Sequence, residues 1–254
     1  MKSFFINDQN VEVYAHKIGA WIKDNVNKAQ MKGVVLGMSG GVDCSVTARL
    51  CQLAGVDAYL VLMPYGNDML RSESQKHAMS LIEKFNFNYY IFDIQPAVDA
   101  IHLPADSPLL KANTNLALSF ANIRPRVRMT FLYQLEQIES RLVIGTGNLS
   151  ERSVGYFTKW GDGACDLNPL ANITKKEVYT LAHFLEVPAC IIQKKPSAGL
   201  WDGQTDEDEL GMSYAMIDDF ILNGTTTIPE IDQKISALQS RSAHKNTPPP
   251  FFNS

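Results

Sequence analysis

The chain has 254 residues, 45% of them hydrophobic, with a formal net charge of −4. That size and apolar content suit one large α/β domain with a full core and exclude a wholly disordered chain, while the acidic balance argues against a general nucleic-acid surface. Cys44, Cys51, Cys165 and Cys190 form no C-x-x-C pair and have no histidine at zinc spacing, which excludes a zinc knuckle and fits free thiols in a reducing compartment. The Phe4-Phe5-Ile6 triplet is too short for a signal-peptide core, and no run approaches ~18 apolar residues. The expectation is a cytoplasmic protein with no membrane partner.

Val11 to Gln30 sets Val13, Ala20, Trp21 and Val26 among polar residues and predicts an opening helix packed on the core. Val34-Val35-Leu36 then reads as a buried strand. It runs into Gly37-Met38-Ser39-Gly40-Gly41-Val42-Asp43-Cys44-Ser45, and Val46 to Leu50 continues at helical spacing, so the glycines sit at a strand-to-helix turn. Glycines there let backbone approach a ligand, and the free N–H groups of a helix start, with the positive end of the macrodipole behind them, suit an anion. Asp43 could hold a cation against bound phosphates. The same residues also make a plain glycine turn with Asp43 as a cap, and the pattern alone leaves both readings open.

Ala58 to Met63 predicts a second buried strand, opening at Pro64 into a loop over 65–70; Ser72 to Phe85 predicts a helix and Tyr89 to Phe92 a third strand. This alternation points to a parallel twisted sheet with helices on both faces, Rossmann-like, whose ligands bind at the carboxyl ends of the strands where strand order reverses. Pro104 and Pro108 interrupt the stretch from Pro96 to Asn115, which predicts a loop-rich excursion. Asn122 to Glu139 is helical in pattern. It carries Arg124 and Arg128 on one face, with Arg126 turned away from them.

Leu142-Val143-Ile144 is a fourth strand, followed by a second turn, Gly145-Thr146-Gly147-Asn148-Leu149-Ser150-Glu151-Arg152. Two such turns in one parallel sheet open on the same edge, which makes Asp43 and Glu151 candidate neighbours. Oxygen ligands of this kind suit Mg²⁺ better than zinc. Taken alone, Glu151 is more simply a surface residue or cap partner. Phe157 to Asp166 is a structured loop, and Thr174-Lys175-Lys176-Glu177 has the capping-box pattern of a helix through Glu186. Lys175 at that helix start opposes the dipole, a cost that a bound anion would offset. Lys194 to Thr205 is a candidate lid of the kind that excludes water. Helices follow over Ser213–Leu222 and Pro229–Arg241.

Ser39-Gly40-Gly41-Val42-Asp43-Cys44 resembles the S-G-G-x-D-S signature of the ATP pyrophosphatase (PP-loop) superfamily, and a Walker A loop is missing. Together with Asn122-Ile123-Arg124-Pro125-Arg126-Val127-Arg128-Met129, Gly145 to Arg152, Gly155 to Gly163, Lys195 to Ala198 and Asp206 to Gly211, the pattern resembles the ammonia-dependent NAD⁺ synthetases over nearly the whole chain. The resemblance implies an adenine-nucleotide alpha hydrolase-like fold, a single synthetase domain over 1–254, and a ligase. In that reaction ATP adenylates the nicotinate carboxylate of deamido-NAD⁺ and ammonia then displaces AMP.

By the same resemblance, Gly37, Met38, Ser39, Gly40, Gly41, Val42, Asp43, Cys44, Thr146, Lys175 and Ser197 would bind ATP, with Asp43, Glu151 and Lys175 as the catalytic groups. Asp43 and Glu151 would hold Mg²⁺, and Arg126, Lys159, Asp166, His244 and Lys245 would bind deamido-NAD⁺. The resemblance also implies a homodimer that completes the dinucleotide site. The chain length leaves no room for a built-in glutaminase beside the synthetase pattern, so ammonia would arrive free or from a separate protein. Position 44 departs from the signature: a thiol donates more weakly than a hydroxyl, which leaves the phosphate contact to backbone donors. Two competing expectations are another PP-loop enzyme acting on tRNA or a nucleotide, and an ATP-binding sensor without chemistry.

Overall fold

The computed structural model describes residues 5–66, 72–104, 106–112, 116–197 and 205–252. In chain order, α1 (Val11–Lys28) precedes β1 (Val34–Gly37), α2 (Val42–Leu53), β2 (Ala58–Leu62), α3 (Glu73–Phe85) and β3 (Tyr89–Ile91). Then come α4 (Gln95–Ile101), α5 (Pro108–Ala112), α6 (Leu116–Ala121), α7 (Ile123–Glu139), β4 (Leu142–Val143) and α8 (Leu149–Ser153). The chain continues through α9 (Lys175–Phe184), α10 (Ala189–Ile192), α11 (Asp206–Leu210), α12 (Tyr214–Asn223) and α13 (Pro229–Ser242).

The four strands form a parallel sheet in the order β3-β2-β1-β4. In register, Val34 faces Ala58 on one side and Leu142 on the other. The chain therefore leaves β1 toward β2 and β3 and returns to β1's opposite flank as β4. The switch point lies between β1 and β4, and the turns that follow those strands, carrying Asp43 and Glu151, stand at its carboxyl edge.

Burial explains the continuous apolar runs. Val34 and Leu36 belong to the cluster under α1, α2, α3 and α9, whereas Val35 points to the opposite cluster with Val98 of α4 and Val127 and Leu135 of α7. Successive strand side chains alternate faces, so a strand covered on both sides is apolar at every position. A third cluster joins Val154, Leu210, Met212, Tyr214, Ile217 and Ile235 and braces α12 and α13 beside the site.

Two expectations are corrected. The buried stripe of α1 is Val11, Ala15, Gly19, Ile22 and Val26, while Val13 is 53% and Trp21 44% exposed. Small residues in the stripe admit close packing: a Cβ on Gly19 would lie 3.1 Å from the Cβ of Ala54. The stretch from Pro96 is also less loop-rich than expected, since α4, α5 and the start of α6 lie within or beside it. Pro96 occupies the first turn of α4, where the missing N–H has no intrahelical partner to lose. Most of the expected lid, residues 198–204, and part of the 65–70 loop lie outside the described residues.

Candidate active site

The first turn folds as a cradle. Gly40 has φ of +76°, and a Cβ there would come within 2.0 Å of the Ser74 carbonyl oxygen, so only glycine fits this approach to α3. Gly41 is the N-cap of α2 and no side chain caps that helix. The N–H groups of its first turn are left for a ligand in a cavity of about 1790 Å³, lined by Gly37, Met38, Ser39, Gly41, Val42, Asp43 and Cys44. The Cys44 thiol donates to the Gly41 carbonyl at 3.2 Å and lies 3.3 Å from the Ser39 hydroxyl. Ser45 donates to the same carbonyl at 2.7 Å, so its hydroxyl serves the loop rather than a ligand.

At the edge of this cradle three charged groups meet. The Lys175 ammonium, at the start of α9, donates to Asp43 Oδ2 at 2.6 Å and to Glu151 Oε1 at 3.0 Å. Its side chain is only 4% exposed and each carboxylate 17%. Burial works against the ammonium, but the two carboxylates outweigh it and hold its pKa above the ordinary lysine value. Burial raises the Glu151 carboxyl to about 7, with Asp43 adding to the effect and Lys175 opposing it. The lysine that opposes the dipole of α9 is thus balanced within the protein.

Asn148 organises the carboxylates. Its amide nitrogen donates to Asp43 Oδ1 at 2.8 Å, and its carbonyl oxygen accepts the Glu151 backbone N–H at 2.9 Å. The Glu151 carboxylate in turn accepts the Asn148 N–H at 3.3 Å, which completes a capping box on α8. The Tyr214 ring lies 4.9 Å from Lys175 Nζ, and its hydroxyl donates to Asp206 Oδ2 at 2.9 Å and lies 3.5 Å from Glu151 Oε1. Burial, followed by Glu151 and Asp206, pushes the Tyr214 phenol far up, so it stays protonated and acts as a donor.

The chemistry of this donor set fits a hard cation. Two carboxylates offer oxygen ligands suited to Mg²⁺, and no group of three His, Cys, Asp or Glu able to hold a metal occurs among the described residues. Phosphate or water oxygens would have to supply the remaining ligands, and Lys175 Nζ stands between the two carboxylates.

The other wall of the cavity is basic. Arg124, Arg126 and Arg128 all line it, so the angle between Arg126 and its neighbours does not remove it from the cavity. Burial, followed by Arg124, pushes the Arg128 guanidinium down to about 10, and its Nε donates to the Met63 carbonyl at 3.0 Å. Lys159 donates to the His244 carbonyl at 2.6 Å. Lys245 donates to the carbonyls of Gly155 and Phe157 at 2.7 and 2.8 Å. Gly155 has φ of +67°, and a Cβ there would lie 2.0 Å from that of Ser242, which keeps the 155–157 loop close to the end of α13.

Thr146 and Ser197 also line the cavity, as do Arg126, Lys159, His244 and Lys245. Asp166 does not join them: it accepts the Val143 N–H at 2.7 Å and the Tyr133 hydroxyl at 3.2 Å, beside β4. Asn148, Ser150, Asp206, Tyr214 and Asp218 were not anticipated. The N-x-x-E spacing of Asn148 and Glu151 was a readable capping signal; Tyr214 and Asp218 lie four apart on one helix with no mark of a site.

The family model for NAD synthase matches residues 14–249. An NH₃-dependent NAD⁺ synthetase of Syntrophomonas wolfei is 40% identical, over 95% of this chain and 96% of its own. Among solved structures, an NMN synthetase from Francisella tularensis is 37% identical with a TM-score of 0.87, covering 96% of this chain and 99% of that one. An NH₃-dependent NAD synthetase from Campylobacter jejuni is 30% identical with a TM-score of 0.75, covering 96% and 99%. The chain belongs to the NAD synthase family.

Proposed function

We propose that this chain makes NAD⁺ from deamido-NAD⁺, ATP and ammonia, with adenylation at the edge formed by Asp43, Glu151 and Lys175. The observation that carries the reading is the meeting of those three groups beside a backbone cradle, in a cavity whose opposite wall is basic. A carboxylate resists attack by ammonia until one of its oxygens becomes part of a leaving group. In the first step a nicotinate oxygen attacks the α-phosphorus and the bond to pyrophosphate breaks. In the second, ammonia adds to the activated carbonyl carbon, AMP departs with that oxygen, and the nitrogen loses a proton.

The first-turn N–H groups of α2 would receive the departing pyrophosphate, and Lys175 would turn from its carboxylates to the phosphates. Asp43 and Glu151 would hold Mg²⁺, which when bound neutralises phosphate charge and orients the leaving group. Arg126, Lys159, His244 and Lys245 would bind the dinucleotide. Asp166 fits a supporting role, since its oxygens already serve Val143 and Tyr133.

The reading includes one synthetase domain over the whole chain and a homodimer. Exposed Ile101, Leu103, Leu109 and Leu118, concentrated in the α4–α6 stretch, support a covered face there. No described helix is long and apolar enough to cross a membrane, in keeping with a cytoplasmic enzyme.

A second reading has a specific observation behind it: the Francisella tularensis structure, with its TM-score of 0.87, is an NMN synthetase. The reaction is the same, but the substrate would be the nicotinate mononucleotide. Incubation with ATP, Mg²⁺ and an ammonium salt, plus either nicotinate nucleotide, decides by product mass. The dinucleotide should be converted with the higher kcat/KM; preference for the mononucleotide would establish the second reading, and no amide from either would refute both.

A further inference from the structure

Glu151 and Lys175 stand on separate short elements, and their mutual placement requires α8 and α9 to start in register. One buried side chain from a third helix joins the two starts. The backbone N–H of Lys175 donates to Ser150 Oγ at 2.8 Å, a contact between residues 25 apart in the chain. Ser150, the neighbour of Glu151, passes its own hydroxyl proton toward Asp218 Oδ1. The second oxygen of that carboxylate accepts the backbone N–H of Lys176 at 2.9 Å. Ser150 is fully buried and Asp218 only 4% exposed.

We propose that Asp218, acting through Ser150, is a positioning residue that sets Lys175 against Glu151 for the ATP half of the reaction. The first two N–H groups of α9 lack intrahelical acceptors and find Ser150 Oγ and Asp218 Oδ2. The serine hydroxyl has one proton. It accepts from Lys175 and donates to one partner, Asp218 Oδ1, which fixes the direction of the chain of bonds. One turn earlier on α12, Tyr214 presents its ring to Lys175 and its hydroxyl to Glu151. A single face of α12 therefore reaches both charged groups.

Asparagine at position 218 keeps the shape but turns one acceptor into a donor, which would break the bond to either Ser150 Oγ or the Lys176 N–H. This inference rests on the proposed function, and the test separates the two. Wild type, Asp218→Asn, Ser150→Ala and the double variant are compared for kcat, for KM of each substrate, and for ATP affinity by calorimetry, with Tm as a folding control. Positioning groups around ligating residues typically change affinity or activity by ~10–100-fold. Asp218→Asn should lower kcat by about that factor and weaken ATP binding ~10-fold, with KM for the nicotinate nucleotide within about 2-fold. Ser150→Ala should show the same split, more weakly, and the double variant should be little worse than Asp218→Asn, because the residues act in one chain. Folded variants with wild-type kcat and ATP affinity would overturn the inference, as would a parallel loss in both substrates that tracks Tm. If Asp218→Asn does not fold, Ser150→Ala alone decides. Should wild type form no amide, the proposed function fails, and the ATP affinities still test the positioning role.

Discussion

At the acidic end of the cavity Asp43, Glu151 and Lys175 are shielded from solvent and already in contact. At the basic end Arg126 and His244 are exposed, and Lys159 and Lys245 hold backbone carbonyls rather than carboxylates. The first arrangement is a closed set of charged contacts, from which Lys175 would turn to reach phosphates. The second is a set of basic side chains in which Lys159 and Lys245 bond neutral carbonyls, contacts that an anionic substrate can replace. On the proposed function, the difference would separate bond making from substrate capture: charge fixed near the reacting atoms acts on the transition state, while displaceable contacts set affinity.

The sharpest way to break this division is Lys175→Met. It would remove the proposed phosphate contact, and it leaves two carboxylates facing each other without their counter-charge. Loss of one preorganised group at a developing charge costs on the order of 10³ in rate, so kcat/KM for ATP should fall by about that factor. A loss confined to KM for the nicotinate nucleotide would move Lys175 to the other end of the cavity.

The next effect concerns pH. Burial holds the Glu151 carboxyl near about 7, far above an ordinary glutamate, so its ionised fraction grows as pH rises through that value. Affinity for ATP with Mg²⁺, measured by calorimetry, should strengthen from pH 6 to pH 8. Glu151→Gln should bind more weakly and lack that limb. An identical pH dependence in the variant would assign the limb to another group.

Smaller still is Lys159→Ala, expected to raise KM for the nicotinate nucleotide ~10-fold with kcat nearly unchanged, the signature of uniform binding. Smallest is Cys44→Ser. The thiol already points to the Gly41 carbonyl and is 3% exposed, so a hydroxyl there should change kcat by less than about 3-fold. A gain of several orders of magnitude would show that the thiol cripples the cradle.

Some of this was legible in the residues. Val34-Val35-Leu36 and Ala58 to Leu62 are apolar at every position because helices cover both faces of the sheet. Asp43 and Glu151 each follow a strand in a glycine-rich turn, and a parallel sheet places such turns on one edge. The core face of α1 was misread because it is marked by Ala15 and Gly19 rather than by Trp21, and small residues carry little hydrophobic signal. Tyr214 and Asp218 were invisible for another reason: their partners are 63 and 68 residues away, at Glu151 and Ser150, and no local period encodes a contact at that distance.

The proposed adenylation is tested most directly by following an oxygen. Nicotinate nucleotide labelled with ¹⁸O in its carboxylate, turned over with ATP and ammonium, should deliver one labelled oxygen to AMP and keep the other in the amide, with none in pyrophosphate. Label in pyrophosphate, or AMP free of label while amide forms, would contradict adenylation of the carboxylate.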